Sequence, residues 1–221
     1  MKLGTILHHY STRIGYAIGL TERTELDKNI RALQIRFEKF GESLRDFCDK
    51  MTNVVSPSTE RSSRSESFAQ TLDFIACKTD RTLPMNSDVG NLASCVQAIV
   101  VAEHKLQRDM ETKVLKPSRD FLENEWKEFK TAERDLANAT LELDSYKSKL
   151  TKLIKSNASY QKGYEKVIGK YEKRLEAFVI IVNKLNAYEI QHAERIKDAV
   201  DILIEYHKLA LRKFRIYIAF P

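Results

Sequence analysis

Seventy-two consecutive residues between Gly90 and Gly163 contain no glycine, and between Pro84 and the terminal Pro221 the only proline is Pro117. These two residue types end helices and make turns. A stretch so poor in both predicts long helices. The whole chain of 221 residues holds only 7 glycines and 4 prolines. An enzyme of two ordinary α/β domains is thereby excluded, because the Gly-rich turns it needs are missing.

Three stretches read as breaks. Residues 52–67 contain six serines and Pro57. Residues 79–90 contain Pro84, with Asn86 or Ser87 available as a helix N-cap. A short polar run, Ser156 to Gly163, is the third. The spacing predicts helix 1 at about 21–54, a connection over 55–87 with a short helical piece at 65–78, helix 2 at about 88–155 and helix 3 at about 160–218. At 1.5 Å per residue, helices 2 and 3 each run roughly 90–100 Å. Helices that long need a continuous partner.

The hydrophobic pattern supplies it. Leu122, Phe129, Leu136, Leu143 and Leu150 recur every seven residues. Leu175, Phe178, Val182, Leu185, Ile196, Ala199 and Leu203 follow the three-and-four alternation of a left-handed supercoil in helix 3. Leu26, Ile30, Leu33, Phe37, Phe40, Leu44 and Phe47 give helix 1 a matching stripe. The break near residue 158 is short enough only for an antiparallel hairpin. The expected fold is all-α, an elongated antiparallel three-helix coiled coil. Pro117, placed inside helix 2, predicts a kink. Helix 3 carries surplus apolar residues at 177–182, 199–204 and 216–220. One stripe faces the other helices, and the surplus predicts a homodimer that uses helix 3 and helix 1 surface.

Charge is concentrated in one place. The chain has 37 Lys+Arg against 31 Asp+Glu, a net +6. Residues 147–174 hold nine bases (Lys147, Lys149, Lys152, Lys155, Lys162, Lys166, Lys170, Lys173 and Arg174) and two acids, Glu165 and Glu172, a net +7. The rest of the chain therefore sums to −1. A self-stabilising helix surface interleaves the two signs, whereas this segment predicts an anionic surface as partner. Lysine dominance suits diffuse attraction to lipid headgroups better than base-edge readout, which favours arginine. Tyr160, Tyr164 and Tyr171 interleave with the lysines and keep a nucleic-acid reading open.

The first twenty residues carry no acid. Leu3, Ile6, Leu7, Tyr10, Ile14, Ala17 and Ile18 share one helical face, and three glycines disfavour a helix in water. This composition predicts an interfacial helix that forms on a membrane. A packed first helix and a mitochondrial presequence are the competing readings. The charged fraction of 31% and the absence of an apolar run of 18 residues rule out a transmembrane helix. Cys48, Cys77 and Cys95, odd in number and without CxxC spacing, read as reduced thiols. Glu189 and His192 form a lone E-x-x-H, read as a buried polar pair that fixes register. A di-iron site would need a second such motif. No metal, cofactor or catalytic constellation is expected.

Four features in order resemble a BAR domain: the amphipathic N-terminal segment; T-E-R-T-E-L-D (21–27), similar to the opening of helix 1 in endophilin-B-type N-BAR proteins; K-V-L-K-P-S-R-D-F-L (113–122), similar to the helix 2 kink segment; and I-L-I-E-Y-H-K-L-A-L (202–211), similar to a Y-H-x-x-A stretch late in helix 3 of endophilins and BAR-containing RhoGAPs. The resemblance implies residues 1–20 as a helix 0, residues 21–221 as the BAR domain, and a crescent homodimer. It implies a cytoplasmic protein, peripheral on anionic phospholipid membranes, that senses or induces curvature in membrane remodelling or trafficking. Small GTPases or SH3-type proteins are the implied regulatory partners. The rival classes are a coiled-coil tether for an acidic protein and a nucleic-acid-binding coiled coil.

Overall fold

The computed structural model describes residues 23–55, 64–80, 82, 84–152 and 158–218, the side chains of 150–152, 158–161 and 216–218 excepted. Among these residues there is no strand. The helices are α1 (Lys28–Val55), α2 (Arg64–Lys78), α3 (Pro84–Met110), a π-helical turn (Glu111–Leu115), α4 (Lys116–Glu123), α5 (Glu125–Lys152), α6 (Ala158–Asn183) and α7 (Leu185–Ile218). The protein is all-α. It divides into two compact units, the first Met1–Glu42 with Phe121–Glu189, the second Ser43–Asp120 with Ile190–Pro221.

In the first unit, α1 opens at Lys28 and not near 21. Asp27 is its N-cap: the Oδ1 atom accepts from the Asn29 backbone N–H at 2.8 Å. Residues 23–27 precede the helix as a non-helical strap. Partner residues on α1 and α5 run in opposite directions, Gln34 with Glu133 and Lys130 with Glu38, so the two helices are antiparallel. The same holds for α5 and α6, where Phe129 meets Phe178, Arg174 meets Asp135 and Lys170 meets Glu142. An aromatic column fills the centre. Phe37 stacks on Phe129 with centroids 4.4 Å apart, and Phe121 meets Tyr188 edge-on at 5.0 Å. Phe37, Phe129, Phe178, Val182 and Leu185 are fully buried.

In the second unit, α2 lies antiparallel along α3, with Ala69 and Leu72 against Ala93, Val96 and Val100. Pro84 occupies the first turn of α3, where its missing N–H costs nothing. Helix 2 thus opens earlier than 88. Asn86 lies inside α3 and caps the preceding helix instead, its Nδ2 donating to Ala76 O at 2.7 Å and Thr79 O at 3.0 Å. Tyr206 donates to Glu103 and Lys105 pairs with Glu205, which makes α3 and α7 antiparallel too. Cys48 is buried, and burial pushes its thiol pKa up. All three cysteines are free.

The expected continuous helices 2 and 3 are interrupted. In the π-helical turn the Lys116 N–H reaches Glu111 O, five residues back, and the extra residue buries Val114 and Leu115 in succession. Pro117 follows directly, inside one unbroken run of helical backbone from Pro84 to Glu123 in which Met110 and Lys116 are both right-handed α, so the wider turn just before it is where the missing proline N–H is accommodated. A turn at Asn124 separates α4 from α5, and one at Lys184 separates α6 from α7. Both flank the Phe121–Tyr188 contact. These interruptions slip the heptad register. Phe121 is buried in place of Leu122, and on α7 His192 and Ile202 face inward while Ile196 is 46% exposed. The expected Phe129, Leu136, Leu143, Phe178, Val182, Leu185 and Ala199 are all buried.

Candidate functional site

The basic segment straddles the end of α5 and the start of α6, in the first unit. Its nine cations divide by what surrounds them. Lys147 is half-buried, and its Nζ donates to Thr24 Oγ1 at 2.8 Å. Lys170 pairs with Glu142 at 2.5 Å and Arg174 with Asp135 at 3.2 Å. Lys149 is exposed, with its ammonium 5.8 Å from the Tyr146 ring centroid. Lys162, Lys166 and Lys173 are exposed and form no ion pair among the described residues. At 100° per residue these three positions fall within about 40° of one another on α6, while Glu165 and Glu172 project to one side. The side chain of Lys152 and all of Lys155 lie outside the described residues, as do Leu3, Ile6, Leu7, Tyr10, Ala17, Ile14 and Ile18.

Tyr164 and Tyr171 are half-buried. The Tyr171 hydroxyl is held above its ordinary pKa, first by burial and then by the Asp144 charge. Neither ring stands out as a free stacking platform for a base. The exposed cations without an ion pair among the described residues, Lys149, Lys162, Lys166 and Lys173, are all ammonium groups.

Exposed apolar side chains gather in the second unit. Twelve of the fourteen large ones among the described residues lie there. Ile196, Val200, Ile204, Leu211 and Phe214 make a stripe along the outer face of α7, each 42–54% exposed. Spacings of four, four, seven and three keep them on one helical face.

Of the E-x-x-H pair, His192 is buried and Glu189 is half-buried. The Glu189 carboxylate accepts from Arg36 Nε at 2.8 Å. His192 is 3% exposed, with the Arg195 guanidinium 3.1 Å from Nδ1. Arg195 also donates to Pro117 O at 3.3 Å. Burial first and Arg195 second push the His192 pKa down to about 4. Among the described residues no group of three metal-ligating side chains forms, and no helix is long and apolar enough to cross a membrane.

A buried contact that the hydrophobic pattern did not reveal joins the N-terminal strap to α5. Asp144 is fully buried. Its two carboxylate oxygens accept from the Thr24 backbone N–H at 3.1 Å each, and Oδ1 also accepts from the Thr24 hydroxyl. The only sequence signal is an aspartate at a position where leucines recur on either side, Leu143 and Leu150.

The family model for the BAR domain matches residues 7–216. The chain belongs to the BAR domain family. BAR domains are helical scaffolds that dimerise and bind membranes, not an enzyme family, and membership gives this chain a role connected with membrane curvature. Among solved structures it is similar to the N-terminal I-BAR domain (residues 1–259) of IBARa from D. discoideum. That likeness covers 99% of this chain and 89% of the other at 10% identity, with a TM-score of 0.44. No curated protein matches the chain.

Proposed function

We propose that this BAR domain binds anionic phospholipid membranes through the cationic face of α6, as a homodimer peripheral to a cytoplasmic membrane surface. The observation that carries the reading is the set Lys162, Lys166 and Lys173, exposed on one face with no acidic partner among the described residues. Lys149 extends the face, and Lys152 and Lys155 continue it in sequence. Lys147, Lys170 and Arg174 are drawn into contacts with Thr24, Glu142 and Asp135 and contribute less. Residues 1–20 form an acid-free apolar stripe in sequence, and we assign them to insertion in the same leaflet. That pairing of scaffold and wedge is the N-BAR arrangement of the endophilin-B and RhoGAP type. The outer face of α7 supplies the dimer contact.

Each lysine near an anionic leaflet contributes about 1 kcal/mol. The triple substitution Lys162→Glu, Lys166→Glu, Lys173→Glu removes roughly 3 kcal/mol per protomer, which corresponds to about 100-fold in affinity. Co-sedimentation with phosphatidylserine-containing vesicles at low and high salt measures this. Helix content by circular dichroism stays unchanged, because the three side chains make no ion pair among the described residues. Wild-type binding also falls with salt. A triple variant that pellets like the wild type refutes the assignment and turns attention to an acidic protein as the partner.

A further inference from the structure

We propose that Thr24 is a phosphorylation site, and that a phosphoryl group there releases the strap 23–27 from α5. The strap is the covalent root of residues 1–22 and the start of α1. One cluster that ties it to α5 is Thr24 with Asp144 and Lys147. Both the backbone N–H and the hydroxyl of Thr24 donate to one carboxylate that has no exposure to solvent. This contact depends on the hydroxyl being a neutral donor.

Phosphorylation reverses that role. The Thr24 hydroxyl oxygen attacks the γ-phosphorus of ATP. A new O–P bond forms, the bond from γ-phosphorus to the β–γ bridging oxygen breaks, ADP leaves, and the hydroxyl proton passes to the kinase base. A donor becomes an acceptor carrying a charge of about −1.5 to −2. It then faces the Asp144 carboxylate across a hydrogen-bond distance. Lys147 offers one positive charge, already in contact with Thr24 Oγ1, against about three negative ones. Phosphate beside a buried aspartate is repelled and poorly solvated. The strap has room to leave: it borders a cleft of about 470 Å³, lined by Arg23, Leu26, Arg31, Glu133 and Thr140 among others.

The local sequence suits a kinase that reads acids C-terminal to its target. Glu25 and Asp27 stand one and three residues after Thr24, and both are exposed. The strap is non-helical, the backbone form a kinase cleft accepts. Thr24 itself is half-buried, so the hydroxyl is reached when the latch opens, and phosphorylation then holds it open by population shift.

The test uses the full chain phosphorylated at Thr24, followed by amide hydrogen exchange over residues 23–33. Exchange at the Thr24 amide should quicken at least tenfold, with α5 and α6 unchanged. In an Asp144→Asn background, where the opposing charge is gone, the phosphate should change exchange less than threefold. In a second arm, an acidophilic Ser/Thr kinase with ATP should label the wild type and leave Thr24→Val, which keeps the backbone N–H bonds, unlabelled at this site. The proposal is overturned by a phosphorylated strap as protected as the unmodified one, by helix loss throughout the chain, or by equal labelling of Thr24→Val. These readouts involve no membrane, so they stand apart from the vesicle assay.

Discussion

Gly41 and His192 show how single positions carry constraints that hydrophobicity does not encode. Gly41 is buried in α1, and a Cβ there would overlap the Trp126 indole at Nε1, Cδ1 and Cε2. Alanine would gain about 1 kcal/mol of helix propensity. Overpacking against a rigid ring costs about 1–3 kcal/mol. We expect Gly41→Ala to lower the melting temperature, the overlap outweighing the propensity; a melting temperature equal to or above the wild type would show that the indole yields. His192 is held neutral by burial and Arg195, with a pKa of about 4 against an ordinary 6.5. The folded value lies below the unfolded one. The stability tied to it is complete above about pH 6.5 and is lost as pH falls from there towards 4. The shift corresponds to about 3 kcal/mol. Urea unfolding of His192→Gln and wild type between pH 7.5 and 4 checks this. The wild type should lose more stability across that window, and parallel losses would place the acid sensitivity elsewhere.

The elements are where the heptad pattern succeeded and then drifted. Phe129, Leu136 and Leu143 are buried as the seven-residue repeat requires, because a regular helix preserves its register. Leu122 and Ile196 miss, since the turns at Asn124 and Lys184 and the π-helical turn each displace the face that follows. No Gly or Pro marks either turn, so nothing local announced them. Pro117 was visible, but not the device beside it: the helix widens into a π-helical turn at 111–115 immediately before the proline and runs on without a break. The outer stripe of α7 belongs to this scale as well. Val200 and Ile204 are 49% and 42% exposed, so replacing both with glutamate leaves the packed side of the helix intact. At the centre of a dimer contact the same change buries unpaired charge, costing about 3 kcal/mol or more. Val200→Glu with Ile204→Glu should weaken self-association at least 100-fold in analytical ultracentrifugation with unaltered circular dichroism. A wild type that sediments as a monomer at tens of micromolar would remove the stripe from the dimer contact.

At the scale of the molecule, the helical class, the order of the helices, the antiparallel turns and the place of the excess charge follow from the sequence alone. The reason is that each is a one-dimensional property: breaker spacing decides helix length, a short polar break forces a reversal, and net charge over 147–174 needs only counting. The BAR resemblance rests on the same linear signals, and the family match over residues 7–216 agrees with it. What required the tertiary structure is which groups are taken and which are left. Lys170 looks like Lys166 in sequence until Glu142, 28 residues away, is placed beside it. Asp144 looks like a misplaced surface acid until Thr24 arrives from 120 residues upstream. The apolar excess of helix 3 was countable, but its division into a buried track through His192 and an outer stripe through Val200 and Ile204 depends on register slips that only packing sets. Partners distant in the chain leave no periodic mark, because their pairing is decided by how the helices meet and not by the spacing within either one.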